Sequence, residues 1–443
     1  MTAYMNETYR IRRLGGDKIA LLGIFVAALL TARLVVALKS GLALSGPIEL
    51  IHTGLSVSIP QGSGWQSEKQ WKYQENALTL SSSFTLGSGR PTAWAHCQYL
   101  LAARRTTPQM WFMQQASELD GAIVETGQMQ IDTLTIDWAH IERPELLLTV
   151  FLGTAKLPSN RQLDIEVNEI TGDFELAEQA FKHIVKSVNF KDNQLLQAGA
   201  EIIAAIKSKG LGSFLENQNQ QAFFLINDSR RRAVGFTMDV LIDSGGDAQS
   251  NIQGAGHLYI KGQPPFEQVA SFQSGDNLDA FVYKSQTYSQ VRRSRTEIIL
   301  GEAGLMTVRK FAARTEEKDY YLSPTAIPGV FLDQLLRQIL DSNKKEIVVD
   351  IIEADGKIAP TFVSRIESKK DAADDAAYVL KLELLDERGF SEQVYLNDQK
   401  QIYKKRLVQQ QSTYFLESTN AENIAKEFPE HAEYVLQKSR MPK

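Results

Sequence analysis

Hydrophobic and polar positions follow two rhythms in this chain. Ile19–Leu38 is apolar on every side, whereas most of the sequence after Gly54 alternates or runs in shorter periodic blocks. Twenty residues wound at 1.5 Å each make a helix of about 30 Å, the hydrocarbon thickness of a bilayer. The stretch therefore predicts a transmembrane helix. Arg10, Arg12, Arg13 and Lys18 precede it and only Lys39 follows closely. The positive-inside bias thus places residues 1–18 in the cytoplasm and 40–443 outside it. Arg33 lies toward the outer end, where a long side chain reaches the interface, and Lys18 and Lys39 flank the span. Two other readings stay open. A signal peptide would be cleaved after Ala43-Leu44-Ser45, and a buried core helix would show an apolar stripe rather than an apolar surface all round.

From residue 47 to 190 short alternating runs predict strands at Leu55–Ile59, Ala77–Phe84, Ala93–Ala102, two within Gly121–Ile141, then Leu146–Ala155 and Arg161–Ile170. Thr107-Pro108 opens a helix to about Leu119, Thr as cap and Pro at the first helical position. Phe174, Ala177, Phe181, Ile184, Val185 and Val188 recur at helical spacing and need a sheet face to cover.

After the polar joint Lys191-Asp192-Asn193 and a helix at Leu195–Ile206, period two dominates to the C-terminus. Phe236, Met238, Val240 and Ile242 share one face of a strand. Ile347–Ile352 and Ile358–Ile366 meet across Asp355-Gly356, a hairpin signal. One helix, Pro328–Leu340, interrupts with a broad apolar face, and Ala421–Leu436 closes the chain, broken near Pro429. Roughly a dozen strands in series must curl or split into packed sheets.

Two resemblances follow from this order. Gly54–Pro60 with Trp65, and Phe174–Phe190 ending in Ser187-Val188-Asn189-Phe190, resemble the PsbP-like family over about 140 residues. That resemblance implies a binding or assembly module with no shared catalytic residue. The serial strands with one internal helix resemble the curved, helix-plugged sheet of the LolA and LolB lipoprotein-localisation proteins, which implies an apolar groove able to hold acyl chains. The expected fold class is α+β: the transmembrane helix (19–38), a small antiparallel-sheet α/β sandwich of PsbP-like type (47–190), and a curved antiparallel sheet or half-barrel with an internal helix (191–443).

Composition adds limits. The chain is 43% hydrophobic and 23% charged with net charge −5, and its acidic excess lies after residue 46. An acidic exterior argues against nucleic acid as partner, which needs a clustered basic face. One cysteine, Cys97, allows no intrachain disulfide. A large exported protein without disulfides fits the bacterial inner membrane and periplasm better than a eukaryotic secretory route.

Candidate chemistry is sparse. His52, His96, His140, His183, His257 and His431 show no metal-ligand spacing. His96 and Cys97 are strand neighbours and point to opposite faces. No GxSxG elbow, SxxK or phosphate-binding loop appears. Asp164, Glu166 and Asn168 share a strand face that reads as solvated, with a divalent cation as the outside reading, and Asp243–Asp247 is a Gly-rich acidic turn with the same outside reading. Three basic groups stand out: Arg230-Arg231-Arg232, Arg292-Arg293-Arg295 and Lys404-Lys405-Arg406. Gathered on one rim they would meet anionic lipid headgroups or an acidic partner; scattered, they protect strand edges. The sequence thus predicts a membrane-tethered, non-catalytic envelope protein without cofactor that binds a protein partner. The alternative is a lipid or lipoprotein carrier using an apolar groove, and the third reading is a hydrolase without a recognisable motif.

Overall fold

The structure, a computed structural model, describes residues 42–439 except 63, 75, 86–88, 210–220, 244–249, 264, 275–278, 289–292, 302–303, 312–313, 367–375, 386–389 and 410–411. The first strands are β1 (Ile48–Leu50), β2 (Leu55–Val57), β3 (Trp65–Ser67), β4 (Lys72–Gln74), β5 (Ala77–Phe84), β6 (Ala93–Leu100), β7 (Ala122–Ile131), β8 (Leu134–Arg143), β9 (Leu148–Leu157), β10 (Arg161–Glu169) and β11 (Asn189–Phe190). β1, β2 and β11 form a small sheet of their own. The other eight form one antiparallel sheet in the order β3-β5-β6-β10-β9-β8-β7, with β4 on β5.

Helices cover this sheet. α1 (Pro108–Glu118) starts where the Thr107 hydroxyl accepts from the Met110 N–H at 3.3 Å, and it lays Trp111 and Phe112 on Ile141, Val150 and Leu152. α2 (Phe174–Ser187) is capped by Asp173 and buries Ala177, Ala180, Phe181, Ile184 and Val185. Phe181 stacks on Phe151 of β9 at 5.4 Å. A side chain of that size, fully buried, contributes about 1.5–3 kcal/mol.

α3 (Gln194–Ser208) leads into the larger sheet: β12 (Gln221–Asn227), β13 (Ala233–Asp243), β14 (Ser250–Ile260), β15 (Phe266–Ser274), β16 (Phe281–Tyr288), β17 (Arg293–Leu300), β18 (Leu305–Phe311), β19 (Thr315–Tyr321), β20 (Ala326–Pro328), α4 (Leu332–Asp341), β21 (Glu346–Ile352), β22 (Ile358–Ile366), β23 (Tyr378–Leu384), β24 (Phe390–Leu396), β25 (Ile402–Gln409) and β26 (Ser412–Ser418). Two short helices, α5 (Ala421–Glu427) and α6 (Ala432–Ser439), end it. The strands run in sequence order around the sheet, and the first, β12, pairs with the last, β26. The single break lies between β19 and β20, which are joined by only four residues, so the two edges meet at that end. This is a barrel with one seam.

Chemistry explains the seam. β19 reads Thr-Glu-Glu-Lys-Asp-Tyr-Tyr, an exposed charged edge that resists further pairing, and β20 ends in Pro328, which has no N–H to donate. The first sheet closes over one end of it: Ala103 and Tyr321 exchange backbone hydrogen bonds of 3.2 and 3.0 Å. Nearby, the Arg161 guanidinium of β10 donates to the Asp350 carboxylate of β21 at 2.5 Å and to the Leu101 carbonyl at 2.6 Å.

The barrel has cover on both faces. Phe223, Phe236, Met238 and Val240 point outward beneath α5 and α6, against Ile424, Phe428 and Val435. Inside, α4 packs Leu335, Leu336, Ile339 and Leu340 against the walls, and Phe331 just before it meets Phe272 edge-on at 5.0 Å.

The expected α+β class is corrected here. The described chain is predominantly strand, its helices serve as short covers on sheets, and none is long and apolar enough to cross a membrane among the described residues. The longest, α3, has 15 residues against the roughly 20 a span needs. The 19–38 span, with Lys18, Arg33 and Lys39, lies outside the described residues. The region after residue 191 does form one long curved sheet open between β19 and β20 around an internal helix; the pairing of β12 with β26, which joins its two halves, is encoded by no local pattern.

Candidate functional site

Strand alternation and antiparallel register arrange the barrel interior in rungs. One rung joins Ile252, Phe272, Tyr283, Ile298 and Val308 across β14 to β18. Two residues along, β14 to β17 carry only small side chains on the next rung, Gly254, Ala270, Ser285 and Thr296. Two further on it turns polar: Asp239, Gly256, Gln268, Thr287 and Ser294. The wall therefore grades from apolar and aromatic, where α4 plugs it, to polar.

The small middle rung leaves space. A cavity of about 1090 Å³ lies inside the barrel, bounded by these rungs, by Phe224, Ile402 and Lys405, and by Leu332, Asp333 and Arg337 of α4. It is at the upper end of small-molecule sites, roughly 300–1,000 Å³. Helix α4 fills one part of the concave face and leaves the rest open.

Charge collects beside the polar rung. The Lys405 ammonium stands 3.2 Å from the Glu392 carboxylate and 6.0 Å from the centre of the Phe224 ring. Burial works against its charge, but Glu392, Asp333 and Asp239 outweigh it and hold its pKa above the ordinary lysine value. Asp239 lines the cavity and is exposed there; desolvation by the surrounding walls still raises its pKa, Lys405 opposes that and Asp333 adds to it. Across from it, a Cβ on Gly256 would come within 3.1 Å of the Asp239 carboxylate, so glycine keeps the approach to that oxygen clear.

The three basic groups fall in different places. Arg230, Arg231 and Arg232 are exposed in the β12–β13 turn, where Arg232 pairs with Asp228 at 2.6 Å. Arg231 pairs with Glu417 at 3.4 Å and lies over the Phe415 ring. Pleating splits Lys404-Lys405-Arg406: Lys405 points into the cavity, whereas Lys404 is 6% exposed on the opposite face, 5.5 and 5.6 Å from the Tyr395 and Phe415 rings. Arg406, paired in register with Phe415, shares that outer face and is half-buried. Two groups thus converge at Phe415. The third is separate: Arg295 lies over Phe311 at 4.8 Å, on β17, five strands from β12. Arg293 opposes Tyr288 in the ladder, and Arg292 lies outside the described residues.

The other candidates resolve individually. Asp164 is not solvated. It is 3% exposed, accepts from Thr154 and Gln162 at 2.7 and 2.8 Å, and sits 2.6 Å from the Arg104 guanidinium. Burial raises its pKa all the same. Cys97 is buried, its thiol pushed up to about 12 by desolvation, while His96 faces the other way toward Ser81. Residues 244–247 of the acidic turn lie outside the described residues. Among the described residues no three His, Cys, Asp or Glu side chains are placed to hold a metal ion.

Sequence reasoning missed Asp239 and Asp333 as interior groups. The alternation that puts Phe236, Met238 and Val240 on one face of β13 puts Thr237 and Asp239 on the other. Which face lines the barrel is set by where α5 and α6 dock, and period two carries no trace of that.

No family model matches the chain, and no curated protein matches it. Among solved structures it is similar to a beta-barrel-like protein of domain of unknown function DUF1849 from Brucella abortus. The likeness has 11% identity and a TM-score of 0.34, over 45% of this chain and 95% of that one. At that score it assigns neither fold detail nor function. The PsbP-like and LolA/LolB-like resemblances gain no support from these comparisons.

Proposed function

We propose that the protein binds or carries a small ligand with an extended apolar part, held inside the barrel of β12–β26. A single observation carries this reading: a cavity of about 1090 Å³ that grades from an aromatic wall at Phe272 and Tyr283 to a polar one at Asp239 and Gln268. Burying a tail against such a wall returns about 25 cal/mol per Å² of apolar surface, enough to drive micromolar binding for a medium-length chain. In this reading the protein performs no chemistry of its own. Its place in the bacterial cell envelope belongs to the proposal on sequence grounds, one cysteine in 443 residues being suited to an exported protein built without disulfides.

The test is uptake of N-phenyl-1-naphthylamine, neutral at pH 7 and fluorescent in apolar surroundings, by the purified full chain free of detergent. Saturable binding is expected. Ala270→Trp, which fills the small middle rung, should abolish it while circular dichroism stays unchanged. No uptake by the wild type, or uptake indifferent to Ala270→Trp, refutes the reading.

A further inference from the structure

The charge arrangement inside the barrel narrows the ligand class, on the premise that the cavity is a binding site at all. Six charged side chains line it: Asp239, Asp333, Glu353 and Asp355 against Arg337 and Lys405. The two basic groups are fewer, and Lys405 is already engaged. Lys405 is 3.2 Å from Glu392, a carboxylate additional to those four, and Asp333 and Asp239 also act on it. An anionic headgroup entering here would compete with three carboxylates for the Lys405 ammonium, leaving Arg337 of α4 as the one other lining cation against four lining carboxylates. Asp355 is engaged as well, by Lys357 at 2.8 Å.

Asp239 is different. It heads the polar rung that runs on through Gly256, Gln268 and Thr287, with glycine rather than a side chain on the next strand, and it is exposed and lines the cavity. The cavity walls weaken the solvation of its charge and Lys405 supplies part of a counter-charge, so a ligand cation placed against the carboxylate adds to that stabilisation. Aromatic rings suit the same guest: Phe224, Phe266, Phe272 and Tyr283 line the cavity, and ring faces attract organic cations.

We propose that the barrel interior takes cationic amphiphiles, an amine-bearing head received by Asp239 with help from Asp333 and an apolar tail laid along the Phe272–Tyr283 rung toward α4. Anionic lipids and fatty acids are disfavoured by the same charges. Specificity of this kind follows from the penalty on the wrong charge as much as from attraction of the right one.

Three probes of equal chain length separate the elements of the proposal: dodecylamine, dodecanol and dodecanoate, each displacing N-phenyl-1-naphthylamine from the full chain at pH 7. Dodecylamine should displace at about one-tenth the concentration that dodecanoate needs, as expected for one desolvated charge contact. Asp239→Asn should bring those two together and leave dodecanol unchanged, which also shows that the variant is folded; Asp239→Glu should restore the preference. Dodecanoate binding as well as or better than dodecylamine overturns the charge assignment and leaves the carrier reading standing. An amine preference that survives Asp239→Asn overturns the role of Asp239. If none of the three displaces the probe because the probe itself is not taken up, the carrier reading falls and this one with it.

Discussion

Arg161 and Asp350 make the sharpest test of how the two large sheets are held together. The two side chains are 2% and 0% exposed, and they are 189 residues apart in sequence. The Asp350 carboxylate also accepts from the Thr325 hydroxyl at 2.6 Å, and the Arg161 guanidinium donates to the Leu101 carbonyl at 2.6 Å. Even so, Arg161 Nε and Asp350 Oδ1 have no hydrogen-bond partner among the described residues. A buried pair of this kind offsets its own desolvation only in part, so its net worth is small, but deleting one partner strands a charge at a cost of about 3–5 kcal/mol. Asp350→Ala and Arg161→Ala should each be destabilising by that amount. The double replacement Arg161→Met with Asp350→Leu should recover most of it, because two well-packed apolar side chains need no compensation.

The chain supplies a convenient assay. All five tryptophans, Trp65, Trp71, Trp94, Trp111 and Trp138, lie in the first sheet region, so their fluorescence follows that part alone while far-ultraviolet circular dichroism follows both. In urea the two signals should change together for the wild type and separate in Asp350→Ala, the barrel and the first sheet losing their coupling. Single variants that cost less than about 1 kcal/mol with coincident transitions would refute the clasp, since such a loss is typical of an exposed pair.

Two further outcomes follow from local chemistry. His257, 5% exposed beneath α6, faces Glu267 at 3.4 Å, the rings of Tyr434 and His431, and Lys438; burial chiefly lowers its pKa, with His431 and Lys438 acting the same way and Glu267 opposing. The unfolded state then binds the proton more readily, so docking of α5 and α6 should be stable above the ordinary histidine value of 6.5 and weaken as pH falls below it. Amide exchange across 421–439 at pH 7.5 and 5.5 measures this, and His257→Phe should remove the difference. Gly199 of α3 crosses β21 so closely that a Cβ would sit 2.0 Å from the Val348 carbonyl oxygen, whereas Gly46 has nothing within 4 Å. Gly199→Ala should lower stability by about 1–3 kcal/mol and Gly46→Ala should leave it unchanged, both read from urea midpoints.

How much of this was legible in the sequence depends on the range of the interaction that decides it. Local rules placed the elements closely: Ala77–Phe84, Leu305–Phe311 and Ile358–Ile366 are strands over those residues, and Thr107-Pro108 starts a helix. Turn chemistry and alternation act within a few residues, so a single sequence carries them. Closure does not act locally. Nothing within β12 or β26 marks them as partners, because their pairing depends on the accumulated curl of thirteen strands between them. Facing is lost for the same reason. In a barrel covered outside by helices and hollow within, the apolar Phe236 faces outward and the charged Asp239 inward, and polarity no longer tells inside from outside. Lys404 and Lys405 make the point at a single peptide bond: one is sandwiched by aromatic rings on the outer surface, the other pairs with Glu392 in the cavity. A run of basic residues read as one surface group is divided by the pleat, and the half that turns inward is the half that lines the cavity.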